Sequence, residues 1–463
     1  MRGTPPASVD TALPRLLGTG SAAAMVISNM IGATIFGASG LMLGALGQPL
    51  LIIAAWGIGA AFAFAGALSY AELGINFPSS GGEFVYLTQA YGKAWGFMTG
   101  WMSFFAGFSA PIATNALIFA YYLARVFPVA GGYSVTIGPS FFSLQFGSEQ
   151  LMAAALIAGS TLLNCFGLRS ASRVQNVLTL AKITIIVLLI ASGILFGDGK
   201  WEHFHETVPR TSTRPLPVDF LIQLLWVMVG YSGWNAATYV AEELRNPEHT
   251  LPRALAMGTA CVAVLYLGLN VVFFYATPPS ELRNVIAVGQ VSVHYLFPDE
   301  AASIFRVLMT VSLMAAVNAM VTIGPRVYYA MALNGLFPSA AGKLHPKWRT
   351  PVVAILSQGA CAILFTGTRI PNLLTYIGFS LTIFSVLAVA SVFVFRRRSG
   401  WRRLPALNFL YPLIPVSYIA AGLAMVVWGI LFQPWISLGA IGTIGAGAAV
   451  YRMAARLGRR SGT

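Results

Sequence analysis

Residues 25–44 read Met25-Val-Ile-Ser-Asn-Met-Ile-Gly-Ala-Thr-Ile-Phe-Gly-Ala-Ser-Gly-Leu-Met-Leu-Gly44. The stretch is apolar enough to enter a membrane, yet glycine recurs at Gly32, Gly37, Gly40 and Gly44, and Ser28, Asn29 and Thr34 form a polar cluster near its middle. Glycine weakens a helix by roughly 1 kcal/mol relative to alanine. In lipid, any backbone group freed by a break must find a partner inside the protein. A break at residues 30–34 leaves two half-helices, one turning carbonyls into the gap, the other turning N–H groups and a positive dipole end towards it. An ammonium suits the first end and a carboxylate the second, so a break here makes a docking place for a zwitterion. A continuous helix with a small-residue packing face is the other reading of the same glycines.

Composition sets the broad class. The 463 residues are 57% hydrophobic and 9% charged, with mean hydropathy +0.74, whereas soluble domains carry about 25% charged residues. The chain reads as a polytopic membrane protein. Cys165, Cys261 and Cys361 each fall inside an apolar run, so neither a disulfide framework nor a metal cluster is expected, and nothing calls for a cofactor.

Apolar runs of roughly 20 residues mark the spans. The reading is a cytoplasmic tail over 1–17, helices one to five within 18–197, an external loop over 198–217 and helices six to ten within 218–395. A basic loop (396–406), helices eleven and twelve (407–456) and a short tail (457–463) follow. The linker 77–92, Phe-Pro-Ser-Ser-Gly-Gly-Glu-Phe-Val-Tyr and onward, is turn chemistry followed by a short amphipathic piece. Twelve spans result, all helical.

The net charge of +14 suggests nucleic acid in a soluble chain, but its distribution follows the positive-inside rule instead. Arg2, Arg15, Lys93, Arg169, Arg173, Arg245, Arg253, Lys343, Lys347, Arg349, the run at 396–403 and the 452–460 tail fall on one side. Loop 127–149 on the other side has neither lysine nor arginine. Both termini are therefore expected in the cytoplasm of a cell (inner) membrane protein, with lipid and no nucleic acid as partners, and the 396–403 run anchoring at anionic lipid.

The sixth segment repeats the theme of the first, as Trp226-Val-Met-Val-Gly-Tyr-Ser-Gly-Trp-Asn235. Interrupted helices at equivalent places in two halves point to a binding site between inverted repeats. A second break is expected at residues 229–233, facing the first. Lys182 lies in the fifth segment, ~13 Å along a helix from Arg173. An intramembrane lysine is a functional residue by default, with snorkelling to the interface as the plain alternative. No carboxylate offers itself mid-helix, since Glu72, Glu242 and Glu243 sit towards helix ends.

These motifs carry a resemblance. Ile31-Gly-Ala-Thr-Ile-Phe36, Pro78-Ser-Ser-Gly-Gly-Glu-Phe-Val-Tyr86, Asn164-Cys-Phe-Gly-Leu-Arg169 running on to Lys182, Tyr231-Ser-Gly-Trp-Asn235, Ala241-Glu-Glu-Leu-Arg-Asn-Pro247, Arg326-Val-Tyr-Tyr329 and Asn334-Gly-Leu-Phe-Pro338 stand in order along about residues 20–400. The chain resembles the amino acid–polyamine–organocation superfamily and is most similar to its L-type amino acid transporters and their bacterial relatives. The resemblance implies a LeuT-like 5+5 inverted repeat with helices one and six discontinuous. It also implies alternating-access transport of neutral L-amino acids by sodium-independent exchange. Proton symport and amine transport are the alternatives.

Carried over by position, Gly32, Ala33 and Thr34 hold the substrate carboxylate, and Met30, Val229 and Ser232 its ammonium. Tyr231 and Asn235 complete the pocket, Lys182 replaces a coupling cation, and Asn318 is its expected neighbour. Two positions depart from the family pattern. Thr34 stands where a second glycine is usual, and Val229 where an aromatic gate is common, with Trp226 or Tyr231 able to take that role. Animal relatives bond an ancillary glycoprotein through a cysteine between helices three and four. Loop 127–149 has none, so a monomer or weak homo-oligomer is expected. Trp201-Glu-His-Phe-His-Glu206 could hold a metal but reads as a solvated loop. A membrane enzyme lacks converging catalytic side chains, and a channel lacks a repeated filter.

Overall fold

The first apolar run folds as two helices, α1 (Thr19–Met30) and α2 (Thr34–Leu46), bent by 43° across residues 31–33. The computed structural model describes residues 15, 17–78, 81–127, 133–138, 143–166, 168–333 and 335–460, and the side chains of all but 168–179, 330 and 454–460 of these. Most of the N-terminal tail, including Arg2, and the side chains of Arg169 and Arg173 lie outside that description. Of the four glycines in the opening stretch, Gly32 alone lies in the break. Gly37, Gly40 and Gly44 are inside α2 and are contact positions, Gly37 against Ile118 and Gly40 against the carbonyl of Val285. Both readings of the glycines hold, at different residues.

The helix α3 (Pro49–Asn76) starts on a proline, which needs no N–H in the first turn. Then α4 (Glu83–Tyr91) lies between spans, entered through Gly82 at φ +50°. Next, α5 (Lys93–Met102) runs through a π-helical turn, Ser103–Ser109, into α6 (Ala110–Val126). Loop 127–149 holds a hairpin that an all-helical reading did not foresee, β1 (Ser134–Ile137) antiparallel to β2 (Leu144–Gly147). Its Gln145 N–H donates to the carbonyl of Gly367 at 2.7 Å, so it covers the end of a later helix.

After the hairpin come α7 (Ser148–Cys165), α8 (Leu168–Phe196) and α9 (Leu216–Gly230). Residues 231–235 are turn, followed by a 3₁₀ stretch, Ala236–Glu243. The second break therefore falls two residues beyond its expected place. Then follow α10 (Pro247–Ala276), α11 (Pro279–Leu282), α12 (Val288–Leu296), α13 (Asp299–Leu333), α14 (Val352–Phe365), α15 (Ile370–Phe395), α16 (Pro405–Phe409), α17 (Leu413–Phe432) and α18 (Pro434–Arg460). Among the described residues, seven helices are long and apolar enough to cross a membrane, or eight if the bent pair α1–α2 counts as one span. The chain is a mostly helical, multi-pass membrane protein.

The two breaks are joined at one end. Leu17 N–H donates to the carbonyl of Glu243, and Arg245 N–H to that of Leu17, both at 2.9 Å. The same end carries a clamp. Glu72, fully buried, accepts from Arg396 Nε and Nη2 at 2.7 and 2.6 Å, Trp401 Nε1 at 3.0 Å and Leu404 N at 3.0 Å. Arg402 pairs with Glu248, and Arg398 donates to the carbonyl of Gln89. The 396–403 run was expected to anchor at lipid; these three of its arginines instead hold protein. At the other end Asp219, 1% exposed, pairs with Arg210 at 2.5 Å.

Candidate functional site

The backbone groups released by the first break are met by side chains from three other helices. The Tyr266 hydroxyl of α10 is shared between the carbonyls of Met30 at 2.7 Å and Gly230 at 3.1 Å, one from each break. Lys182 of α8, 1% exposed, donates to the carbonyls of Ile31 at 2.5 Å and Ser28 at 3.3 Å. Asn115 of α6 accepts the Ala33 N–H at 2.6 Å. No water from lipid is available to these groups, so buried side chains take its place. Close contact between the breaks depends on Gly233, at φ +97°. A Cβ there would lie 2.9 Å from the carbonyl oxygen of Asn29. Glycine meets both demands at once.

Most of the residues read from sequence meet here, with different neighbours from those expected. Of the backbone groups given to a carboxylate, the Ala33 N–H already has Asn115. Thr34 is 7% exposed and sits beside Gly230, so its methyl narrows the space between α2 and α9. Of the groups given to an ammonium, the Met30 carbonyl accepts from Tyr266. The Val229 carbonyl accepts from Ser232 N at 3.1 Å and Ser232 Oγ at 2.7 Å. A carbonyl has two lone pairs, so the Met30 oxygen keeps one for a ligand, while the Val229 oxygen already has a donor on each and must give one up to take an ammonium.

Three of the expected residues have partners that the sequence did not show. Tyr231 is fully buried, donating to the Trp56 carbonyl at 3.2 Å and stacked edge-on to Trp56, so it is a packing residue in this conformation. Trp226 likewise spends its indole N–H on Thr375 at 2.9 Å. Asn318 accepts from Asn164 at 3.1 Å and is not hydrogen-bonded to Lys182. Lys182 also does not snorkel, since its ammonium ends at the break. In the loop once considered for metal, His203 is buried with Nδ1 3.2 Å from the carbonyls of Phe274 and Tyr275. Its ring serves packing.

A cavity of about 100 Å³ opens beside the breaks, and its lining includes Asn29, Ser232 and Gly233 together with Glu83, Asn235 and Tyr239. Glu83 was missed in the sequence. It reads there as the first residue of an amphipathic linker helix, and only the fold turns it inward. Its Oε1 accepts from the Tyr70 hydroxyl at 2.5 Å and Asn235 Nδ2 at 3.1 Å. Burial pushes its carboxyl above the usual range, and these two hydrogen bonds pull it part of the way back.

Asn115 makes a measurable demand on any ligand that presents a carboxylate to α2. With Asn115→Ala the Ala33 N–H loses its partner, at a cost of about 1–3 kcal/mol to the ligand-free protein. A bound carboxylate recovers that cost. Thermal unfolding in detergent is expected to start lower without ligand, with a larger rise on adding it than in the wild type. An unchanged ligand-induced rise means that the carboxylate does not reach Ala33.

A family model described as amino acid permease matches residues 17–445. The serine/threonine exchanger SteT of Bacillus subtilis is 29% identical over 450 residues, covering 96% of this chain and 97% of that protein. The human large neutral amino acids transporter small subunit 2 is 29% identical over 428 residues, 90% and 76% of the two chains. The mouse b(0,+)-type amino acid transporter 1 is 29% identical over 431 residues, 92% and 84%.

Proposed function

The chain belongs to the amino acid permease family, and from that membership we propose that it moves neutral L-amino acids across the cell membrane by alternating access. It is a transporter related to the L-type carriers and not an enzyme. In the proposed reading the twelve spans form two inverted five-helix repeats plus two further helices, with both termini cytoplasmic. The carrier exchanges one amino acid for another without sodium and needs no ancillary glycoprotein.

One observation carries the substrate class. The carbonyl end of α1 and the N–H end of α2 meet within three residues, and Tyr266 joins this break to the end of α9. Ends of opposite polarity at one place favour a compound with adjacent ammonium and carboxylate. The residues proposed for the carboxylate are Gly32, Ala33 and Thr34, and those for the ammonium are Met30, Val229 and Ser232. Asn235 lies in the cavity beyond.

The relatives' names support the same class, since each is an amino acid transporter or exchanger. Ligand-induced thermal stabilisation of the purified protein is the test. Neutral L-amino acids are expected to raise the unfolding temperature, while their decarboxylated amines and deaminated acids are not. Equal stabilisation by the amines moves the reading to amine transport.

A second reading has its own observation. Lys182 donates to carbonyls, and no acidic partner accompanies it among the described residues. If it releases its proton in one state of the cycle, the carrier is a proton symporter.

A further inference from the structure

Loop 127–149 contains a single charged residue, Glu149, and its hairpin has two unlike faces. Residues directly opposite in an antiparallel pair share a face, as do alternate residues along one strand. Val135 is paired with Phe146 and Ile137 with Leu144, so one face is wholly apolar. Ser134 is paired with Gly147 and Thr136 with Gln145, so the other carries only hydroxyls, an amide and glycine. Two alternations per strand are too few to read singly, and the register adds them together.

The apolar face is largely open. Ile137 is 58% exposed, Phe146 is 48%, and Tyr133, in step with them, is 69%. Ser134 and Thr136 on the other face are exposed as well. An open apolar patch rimmed by polar residues marks a contact with protein or membrane.

The height of the hairpin in the molecule decides between them. The Gln145 N–H donates to the Gly367 carbonyl, and Leu144 bridges to Thr368, just before the span Ile370–Phe395 begins. The span Lys93–Val126 ends shortly before β1. Both places lie at the end of α15 opposite the Arg396 clamp, so the hairpin sits level with a membrane surface. Apolar exposure also continues from β2 into the first turn of α7, at Leu151. Among the described residues β1 has only β2 beside it. Its outer N–H and C=O groups need water or headgroups, which keeps the ribbon out of the hydrocarbon centre. Tyrosine is favoured at that level.

We propose that the β1–β2 hairpin lies in the membrane interface, with Val135, Ile137 and Phe146 against lipid and Ser134 and Thr136 towards water. The partner is neutral lipid, because loop 127–149 offers no lysine or arginine to an anionic headgroup. The hairpin then ties α7 and the 367–368 turn to the bilayer. This contact is independent of what the carrier moves.

Spin labels on single cysteines test it in the full-length protein, with Cys165, Cys261 and Cys361 replaced by alanine and the protein in phosphatidylcholine vesicles. The labelled variants are Ile137→Cys, Phe146→Cys and Thr136→Cys. Collision with oxygen, which concentrates in lipid, is compared with collision with a water-soluble nickel chelate present on both sides. Oxygen is expected to prevail at 137 and 146 and the chelate at 136, and added anionic lipid is expected to leave this unchanged. An unfolding temperature close to that of the unlabelled protein shows that a variant is folded. Tyr133→Cys takes the place of Phe146→Cys if the latter is not recovered.

The chelate prevailing at all three positions overturns the proposal, and so does oxygen prevailing at all three. Low collision with both reagents at 137 and 146 means a protein cover, either a second copy or another chain, and overturns it too. An oxygen excess that appears only with anionic lipid defeats the neutral contact.

Discussion

Glu72→Ala is expected to lower stability by about 3–5 kcal/mol, the usual cost of stripping one partner from a buried ion pair. The clamp joins the end of α3 to the segment between α15 and α17, residues that are 324 apart for Glu72 and Arg396. Four donors converge on the carboxylate, and the Arg396 side chain is only 6% exposed. Removing Glu72 leaves a guanidinium, an indole N–H and the Leu404 N–H without their acceptor, in a place where water has little access. The Tyr411 ring, 3.8 Å from the guanidinium carbon, offsets a part of this. Thermal unfolding of the purified protein in detergent reads the loss. The double variant Glu72→Leu with Arg396→Leu is expected to recover much of it, because an apolar pair leaves no buried charge behind. An unchanged unfolding temperature in Glu72→Ala would show that water reaches the clamp.

The clamp also shows where sequence reading ends. Residues 396–403 hold five arginines and no acidic residue, and a local reading sends such a run to lipid. Nothing near it in sequence hints at Glu72. Glu83 escaped for a similar reason. Its neighbours Gly81 and Gly82 signal a turn, but the direction of that turn depends on Tyr70 and Asn235, which belong to other elements.

What was legible is local. The bounds of α3 follow from Pro49 and an unbroken apolar run, and the first break follows from Gly32 beside a polar cluster. The second break lies at 231–235 because Val229 and Gly230 keep helical geometry, and the chain turns at Gly233, whose φ is positive. Composition alone puts both glycines on an equal footing. The hairpin of β1 and β2 was hidden by strands of four residues each, too short to show an alternation. The opposite polarity of the two half-helix ends was readable, while the side chains that meet them, Asn115 and Tyr266, come from helices distant in sequence.

Lys182→Ala is expected to reduce transport to background. The Nζ atom holds the Ile31 carbonyl at 2.5 Å and the Ser28 carbonyl at 3.3 Å, which ties α8 to the break of α1. Hydrogen bonds from a charged donor are worth about 1.5–3 kcal/mol each, and leaving the acceptors unpaired in lipid adds to the loss. If the carrier opens and closes around this break, as proposed, it then loses the contact that ties one helix to the other. Arginine does not restore it, because a planar fork does not fit where a compact ammonium sits.

Proteoliposomes separate the mechanisms that the lysine allows. A charge that stays in place throughout the cycle removes the need for sodium, and uptake then requires amino acid on the inside. Stimulation by internal amino acid, with no response to an imposed pH gradient, is the expected result. Uphill uptake into empty vesicles driven by that gradient assigns the lysine to proton symport. Dependence on external sodium defeats both, since a bound cation would then compete with an ammonium already seated against α1. Wild-type exchange in Lys182→Ala removes the lysine from the mechanism and leaves the two carbonyls as structural contacts only.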